Sequence, residues 1–185
     1  MAGQIFSLLG RSGAGKGVVA NLLSPLYKIP IVSTGDIFRH RARTDSKIRK
    51  YLEEGKFIPA EVGDQIIFNH IQKISKIGGF ILDGAPRNTS QTLLLWDILS
   101  KGYFIHVDTE REICKNRLLL RRRADDTPSR IDSRLREFCI QTNPAIRLIK
   151  RRCKKPNRPF IHIDGNQDLQ AVLLQVKEQL REIGI

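Results

Sequence analysis

The residues best equipped for chemistry come early in the chain. Gly10-Arg11-Ser12-Gly13-Ala14-Gly15-Lys16 sets glycines and a lysine at the Gly-x-x-x-x-Gly-Lys spacing. Glycines let a loop turn its backbone N–H groups inward, and a lysine at its end adds the positive charge that a polyphosphate needs. Gly17 and Val18 follow, where the commoner loop of this kind carries a Ser or Thr whose hydroxyl ligates Mg2+. By itself the loop says that a nucleotide phosphate binds, and no more. Two further stretches each deliver one arginine: Val32-Ser33-Thr34-Gly35-Asp36-Ile37-Phe38-Arg39, and Gly79-Phe80-Ile81-Leu82-Asp83-Gly84-Ala85-Pro86-Arg87. A planar guanidinium fork suits a phosphate better than a point charge does.

These residues need elements to hold them. Residues 4–9, 28–32, 80–83, 103–107 and 160–164 read as short apolar strands, and 15–26, 60–76, 91–99 and 111–121 as helices between them. Strands alternating with helices imply an α/β fold with a five-stranded parallel sheet covered on both faces. Both arginine stretches then lie where a strand ends, and strand carboxyl ends are where open α/β sheets bind ligands. Thr127-Pro128 predicts a helix start with a hydroxyl N-cap, and Ile131, Leu135 and Phe138 give that helix its buried stripe. His106 and His162 fall in strands and read as core or strand-end residues.

A chain of 185 residues that is 41% hydrophobic suits one domain with a substantial core. The apolar run 5–9 is too short for a signal peptide, and no stretch approaches the roughly 20 apolar residues of a membrane span. Cys114, Cys139 and Cys153 show no paired spacing, which argues against structural zinc or a disulfide framework and points to a reducing, cytoplasmic compartment. Lysine and arginine outnumber acids 32 to 19, giving a formal charge of +13 and a preference for acidic partners. The run Lys150, Arg151, Arg152, Lys154, Lys155, Arg158 reads as a solvated helix face.

Taken together, the motifs resemble the adenylate kinase family of nucleoside monophosphate kinases, over nearly the whole chain. The family's ordered signatures appear as GRSGAGKGV, VSTGDIFR, GKFIP, LDGAPRNTSQ, RRRADD and Arg134-Leu135. The resemblance implies a P-loop NTPase-like three-layer fold, with a core over residues 1–33, 60–120 and 132–185. It also implies a small helical acceptor-binding excursion over 34–59, hinged on Gly35 and Gly55 among others, and a short lid over 121–131. The implied reaction is reversible transfer of the ATP γ-phosphoryl group to AMP, giving two ADP. Mg2+ would rest largely on the nucleotide phosphates and water, with Asp83 acting through water, so Gly17 after the lysine is normal there and no zinc is expected. No general base is needed, because the acceptor is already an anionic phosphate oxygen.

The resemblance also carries roles to individual residues. Lys16 and the amides of Gly13, Ala14, Gly15, Gly17 and Val18 match the ATP phosphate positions. Arg117 matches the arginine that packs on the ATP adenine, Arg121 a lid-side arginine toward the ATP phosphates, and Gln167 a backbone contact to adenine. Arg39 and Arg87 match the clamp on the acceptor phosphate; Thr34, Ile58, Gly84 and Gln91 match positions around the AMP base. Arg123 and Arg134 match the arginines that close on the transferring group and the acceptor, so Lys16, Arg87, Arg123 and Arg134 form the implied catalytic set. Four residues depart from the pattern: Ser12 and Val18 in the loop, Ala85 where an aromatic flanks the acceptor, and Arg122 where the lid has glycine. Asn88 is typical of UMP/CMP kinases whereas Thr34 and Gln91 favour AMP, so a pyrimidine acceptor stays open. A basic, RNA-binding P-loop assembly factor with weak kinase activity is the reading from another class. A monomer is expected, with ATP and AMP as substrates, nucleic acid as a secondary partner and no membrane.

Overall fold

The computed structural model describes residues 3–121, 123, 125–153 and 159–185. Five strands, β1 Ile5–Leu9, β2 Ile31–Ser33, β3 Phe80–Asp83, β4 Tyr103–Asp108 and β5 Phe160–Asp164, form one sheet in the order β2-β3-β1-β4-β5. All four pairings are parallel. Strand β1 lies in the middle, and Phe6, Ser7 and Leu8 are completely buried, as a strand covered on both faces must be. The helices are α1 Lys16–Tyr27, α2 Thr34–Arg41, α3 Ser46–Glu53, α4 Ala60–Ser75, α5 Thr89–Leu99, α6 Arg111–Arg121, α7 Pro128–Glu137, α8 Asn143–Arg152 and α9 Leu169–Glu182. A wide turn with i→i+5 bonding, Phe138–Thr142, joins α7 to α8.

Two cores flank the sheet. On one side Phe6, Leu8, Ile105 and Ile163 meet Val19 and Leu23 of α1, Leu118 of α6, Ile131 and Leu135 of α7, and Val176 of α9. On the other, Phe80, Leu82 and Phe104 meet Ile67 and Ile71 of α4, Leu95 and Leu99 of α5, and Ile149 of α8. Each fully buried aliphatic or phenyl side chain stabilises the fold by about 1.5–3 kcal/mol. The sheet is therefore a rigid base for whatever stands at its carboxyl edge.

Three expectations shift on inspection. The second strand begins at Ile31 rather than 28, because Lys28 takes a left-handed conformation (φ 53°) that closes α1 with a bond from its N–H to the Ser24 carbonyl. Helix α5 starts at Thr89 rather than 91: the Asn88 Oδ1 caps it by accepting from the Gln91 N–H at 2.7 Å. Helix α7 does begin at Pro128, but the Thr127 hydroxyl sits 3.4 Å from the Ser129 Oγ and caps no backbone N–H. Of the basic run from 150, the Lys150 ammonium lies over the Phe160 ring and the Arg152 guanidinium over the Trp96 ring, so these two charges meet aromatic faces. Lys154, Lys155 and Arg158 lie outside the described residues, as does Arg122. No helix among the described residues is long and apolar enough to cross a membrane.

Candidate active site

The loop between β1 and α1 needs its glycines for two different reasons. Gly10 (φ +138°) and Gly13 (φ +84°) hold conformations that side chains resist, and they also touch their neighbours. A Cβ on Gly13 would stand 2.5 Å from the Cys114 carbonyl oxygen and 2.9 Å from Leu118 Cγ, so the loop is seated directly on α6. Within the loop the Ala14 N–H is spent on the Arg11 carbonyl, and the Val18 N–H on the Gly15 carbonyl. That leaves the amides of Gly13, Gly15, Lys16 and Gly17 as its candidate anion donors, at a helix start that favours negative charge. The Lys16 ammonium folds over the loop and donates to the carbonyls of Gly10 (2.9 Å) and Arg11 (2.7 Å). Burial pulls its pKa down, and the nearby Asp83 carboxylate works in the opposite direction.

Three hydroxyls lock the loops of the sheet edge to one another. Ser7 Oγ donates to the Ala85 carbonyl at 2.9 Å, Thr142 Oγ1 to the Arg87 carbonyl at 2.9 Å, and Thr109 Oγ1 to the Ala14 carbonyl at 3.1 Å. Each joins residues more than fifty positions apart, so the rims of the cleft are positioned by side chains whose partners no local pattern reveals. Arg11 adds a fourth tie, donating to the Thr109 carbonyl (2.9 Å) and the Asp108 carboxylate (3.3 Å) while its guanidinium lies over Phe138.

These rims enclose a cleft of about 1020 Å³, large enough for two nucleotides end to end. Its lining brings together Gly13, Gly15, Lys16, Gly17 and Val18 of the loop, Arg39, Ile58, Asp83, Gly84, Arg87 and Gln91 on one side, and Arg117, Arg121, Arg123 and Arg134 on the other. Three expected site residues do not line it. Ala14 is buried against the core. Thr34, also fully buried, turns its Oγ1 to the carbonyls of Asp83 (3.2 Å) and Gly84 (3.0 Å), so it stands behind the wall and fastens α2 to the turn after β3. Gln167 offers its carbonyl to Arg117 at 3.3 Å. Ala85 differs too: it is fully buried in the core and does not line the cleft.

The arginines are held, each by its own device. Arg87 donates from Nε to the Gly84 carbonyl (2.6 Å) and lies over the Phe57 ring at 4.9 Å. Burial brings its pKa down to about 10; Asp83 opposes this, while Arg134 and Arg39 push the same way as burial. It remains a cation at neutral pH, facing other cations across the cleft. Arg39 folds back onto Asp36 over Gly35, where any Cβ would press on its guanidinium at 3.1 Å. Arg117 is oriented by the carbonyls of Gly165 and Gln167. Arg121 grips Asp126 with two bonds of 2.9 and 3.0 Å, and Arg134 shares the same carboxylate at 3.0 Å while also meeting Asp125.

Gln91 is nearly buried and accepts the Arg87 N–H on its Oε1 at 2.8 Å, leaving its amide N–H groups as donors. Asn88 spends its Oδ1 on the cap and on Ser90. Phe57, Arg11, Asp125 and Asp126 are the participants that sequence reasoning left without roles; the last two stood in the RRRADD motif, and Phe57 in GKFIP. The lid segment 121–131 contains neither cysteine nor histidine.

Comparison with known proteins identifies the family. A family model for adenylate kinase matches residues 8–154. The chain is 36% identical to the adenylate kinase of Corynebacterium diphtheriae over 76% of this chain and 82% of that protein. It is 34% identical to that of Leuconostoc mesenteroides subsp. mesenteroides over 94% and 95%, and 31% identical to that of Oenococcus oeni over 92% and 94%. With most of its length covered at this level of identity, the chain belongs to the adenylate kinase family, the phosphotransferases that move a phosphoryl group between ATP and AMP.

Proposed function

We propose that this cleft carries out the reversible transfer of the ATP γ-phosphoryl group to AMP through the residues gathered in its walls. The observation that supports it most is the convergence of Lys16 with Arg39, Arg87, Arg117, Arg121, Arg123 and Arg134 on one space. Two polyphosphates repel one another, and phosphoryl transfer asks a protein mainly for positioning and for positive charge around the equatorial oxygens. Lys16 and the amides of Gly13, Gly15 and Gly17 hold the ATP phosphates, with Arg117 against the adenine. Arg39 and Arg87 clamp the AMP phosphate. Arg121, Arg123 and Arg134 close on the group in transit.

Magnesium fits the donor set as an ion carried by the nucleotide. Asp83 is a carboxylate of the cleft wall close to Lys16, and Val18 offers no hydroxyl to it. When bound with ATP, the ion supplies charge neutralisation between the phosphates. Asp83 would hold its water shell, and Lys16 would share the phosphate oxygens.

The excursion 34–59 and the lid 121–131 are the parts that move, so that water is excluded when both nucleotides are in place. The protein works as a monomer in a reducing, cytoplasmic compartment; the Cys114 and Cys139 thiols are free. AMP is the preferred acceptor. The Gln91 amide is free to donate to an adenine ring nitrogen, while the Asn88 acceptor is already used within the helix cap. Initial rates with AMP, CMP and UMP at fixed Mg-ATP test this. AMP should exceed both pyrimidines at least tenfold in kcat/KM, and equal or better activity on CMP or UMP would overturn the acceptor assignment.

A further inference from the structure

Away from the nucleotide cleft, two imidazoles and a carboxylate meet near the carboxyl end of the sheet's outer edge. His106 and Asp108 lie two residues apart on β4 and therefore on one face; His162 of β5 is the register partner of His106 and shares that face. The His162 Nε2 is 3.5 Å from the Asp108 Oδ2, and the two histidine rings stand edge to face with centroids 5.6 Å apart. One donor atom from each of the three lies within 4.8 Å of the other two. Nitrogen and oxygen ligands at about 2.0–2.2 Å around a tetrahedral ion are about 3.3 Å apart, so small side-chain rotations complete the set.

We infer that His106, Asp108 and His162 form a binding site for a divalent transition ion of the zinc, cobalt and nickel class. Two nitrogen donors with a single carboxylate suit such ions and not Mg2+ or Ca2+, which take oxygen shells. The surroundings fit this use. Strand β5 is the sheet edge and the His162 side chain is 54% exposed, so an ion can enter and keep water on its open positions. Arg11 donates to the Asp108 Oδ1 at 3.3 Å, which fixes the carboxylate and turns Oδ2 toward His162, the role of an outer-shell partner. His106 packs against the Phe160 ring, which holds its imidazole beside that of His162. Because Arg11 belongs to the phosphate loop, the ion would sit one side chain away from that loop, on residues that do not line the cleft.

The test uses the full chain without an affinity tag, free of nucleotide and Mg2+. Cobalt(II) is titrated in while its visible d–d absorption is followed, and thermal melts are run with and without Zn2+. Wild type, His162→Ala and Cys139→Ser are compared; His162 is exposed, so its truncation leaves the core alone, and Cys139 is the exposed thiol that could mimic a site. The expected result is saturable binding of one cobalt ion and a zinc-dependent rise in Tm in wild type and Cys139→Ser, with affinity at least tenfold weaker in His162→Ala. Absence of saturable binding in wild type would overturn the inference. So would equal affinity in His162→Ala, or loss of binding in Cys139→Ser alone.

Discussion

Arg134 and Arg121 share one carboxylate, Asp126, whose side chain is fully shielded from solvent. The arginines are thereby held in place before any substrate arrives, which is where electrostatic catalysis gains most. Arg134→Lys keeps the charge but loses the fork; kcat should fall by roughly 10²-fold, with a smaller change in KM, in steady-state kinetics. Burial raises the Asp126 pKa, but the bonds and charges of Arg121 and Arg134 outweigh it, and the net shift is downward. A carboxyl lowered in the fold contributes stability above its unfolded value, about 3.9, and loses it as pH falls through the folded value. Tm measured from about pH 5 toward about pH 2 should therefore decline, and Asp126→Asn should flatten part of that decline while melting lower at pH 7. Val18 lines the cleft and belongs to neither core. Val18→Thr should thus place its hydroxyl toward the phosphates, leave Tm unchanged and tighten ATP binding by at most about 1.5–3 kcal/mol in a calorimetric titration.

Among the elements, the phosphate loop rests through Gly13 directly on α6, the helix that carries Arg117 and Arg121. Gly13→Ala forces a left-handed conformation on alanine and drives its Cβ into the Cys114 carbonyl and Leu118, whereas a Cβ on Gly17 meets nothing within 4 Å. Chemical denaturation should show Gly13→Ala destabilised by at least about 1–3 kcal/mol, with Gly17→Ala within about 0.5 kcal/mol of wild type. The strands were legible because Ile5–Leu9, Phe80–Asp83 and Tyr103–Asp108 are largely apolar runs with a glycine at one end or both. Strand β2 was read early by three residues, since nothing in Lys28 announces a left-handed helix end. The hydroxyl ties of Ser7, Thr109 and Thr142 escaped altogether, because a hydrogen bond across fifty or more residues leaves no periodicity.

For the whole molecule, the motifs located the cleft, and they could do so because phosphate binding demands particular residue types at fixed places. They did not show where the side chains point. Thr34 turned out to be a fastener behind the wall and Ala85 a core residue, since both lie within a residue or so of the lining and only packing decides which way they face. The central claim is that this cleft moves a phosphoryl group to AMP and does not spend ATP on water. Following ATP, AMP and ADP together by ³¹P NMR with Mg2+ present measures that directly. The account predicts two ADP formed for each AMP consumed, reversal when ADP alone is supplied, and negligible ADP when AMP is left out. ADP production at the same rate with and without AMP would contradict it.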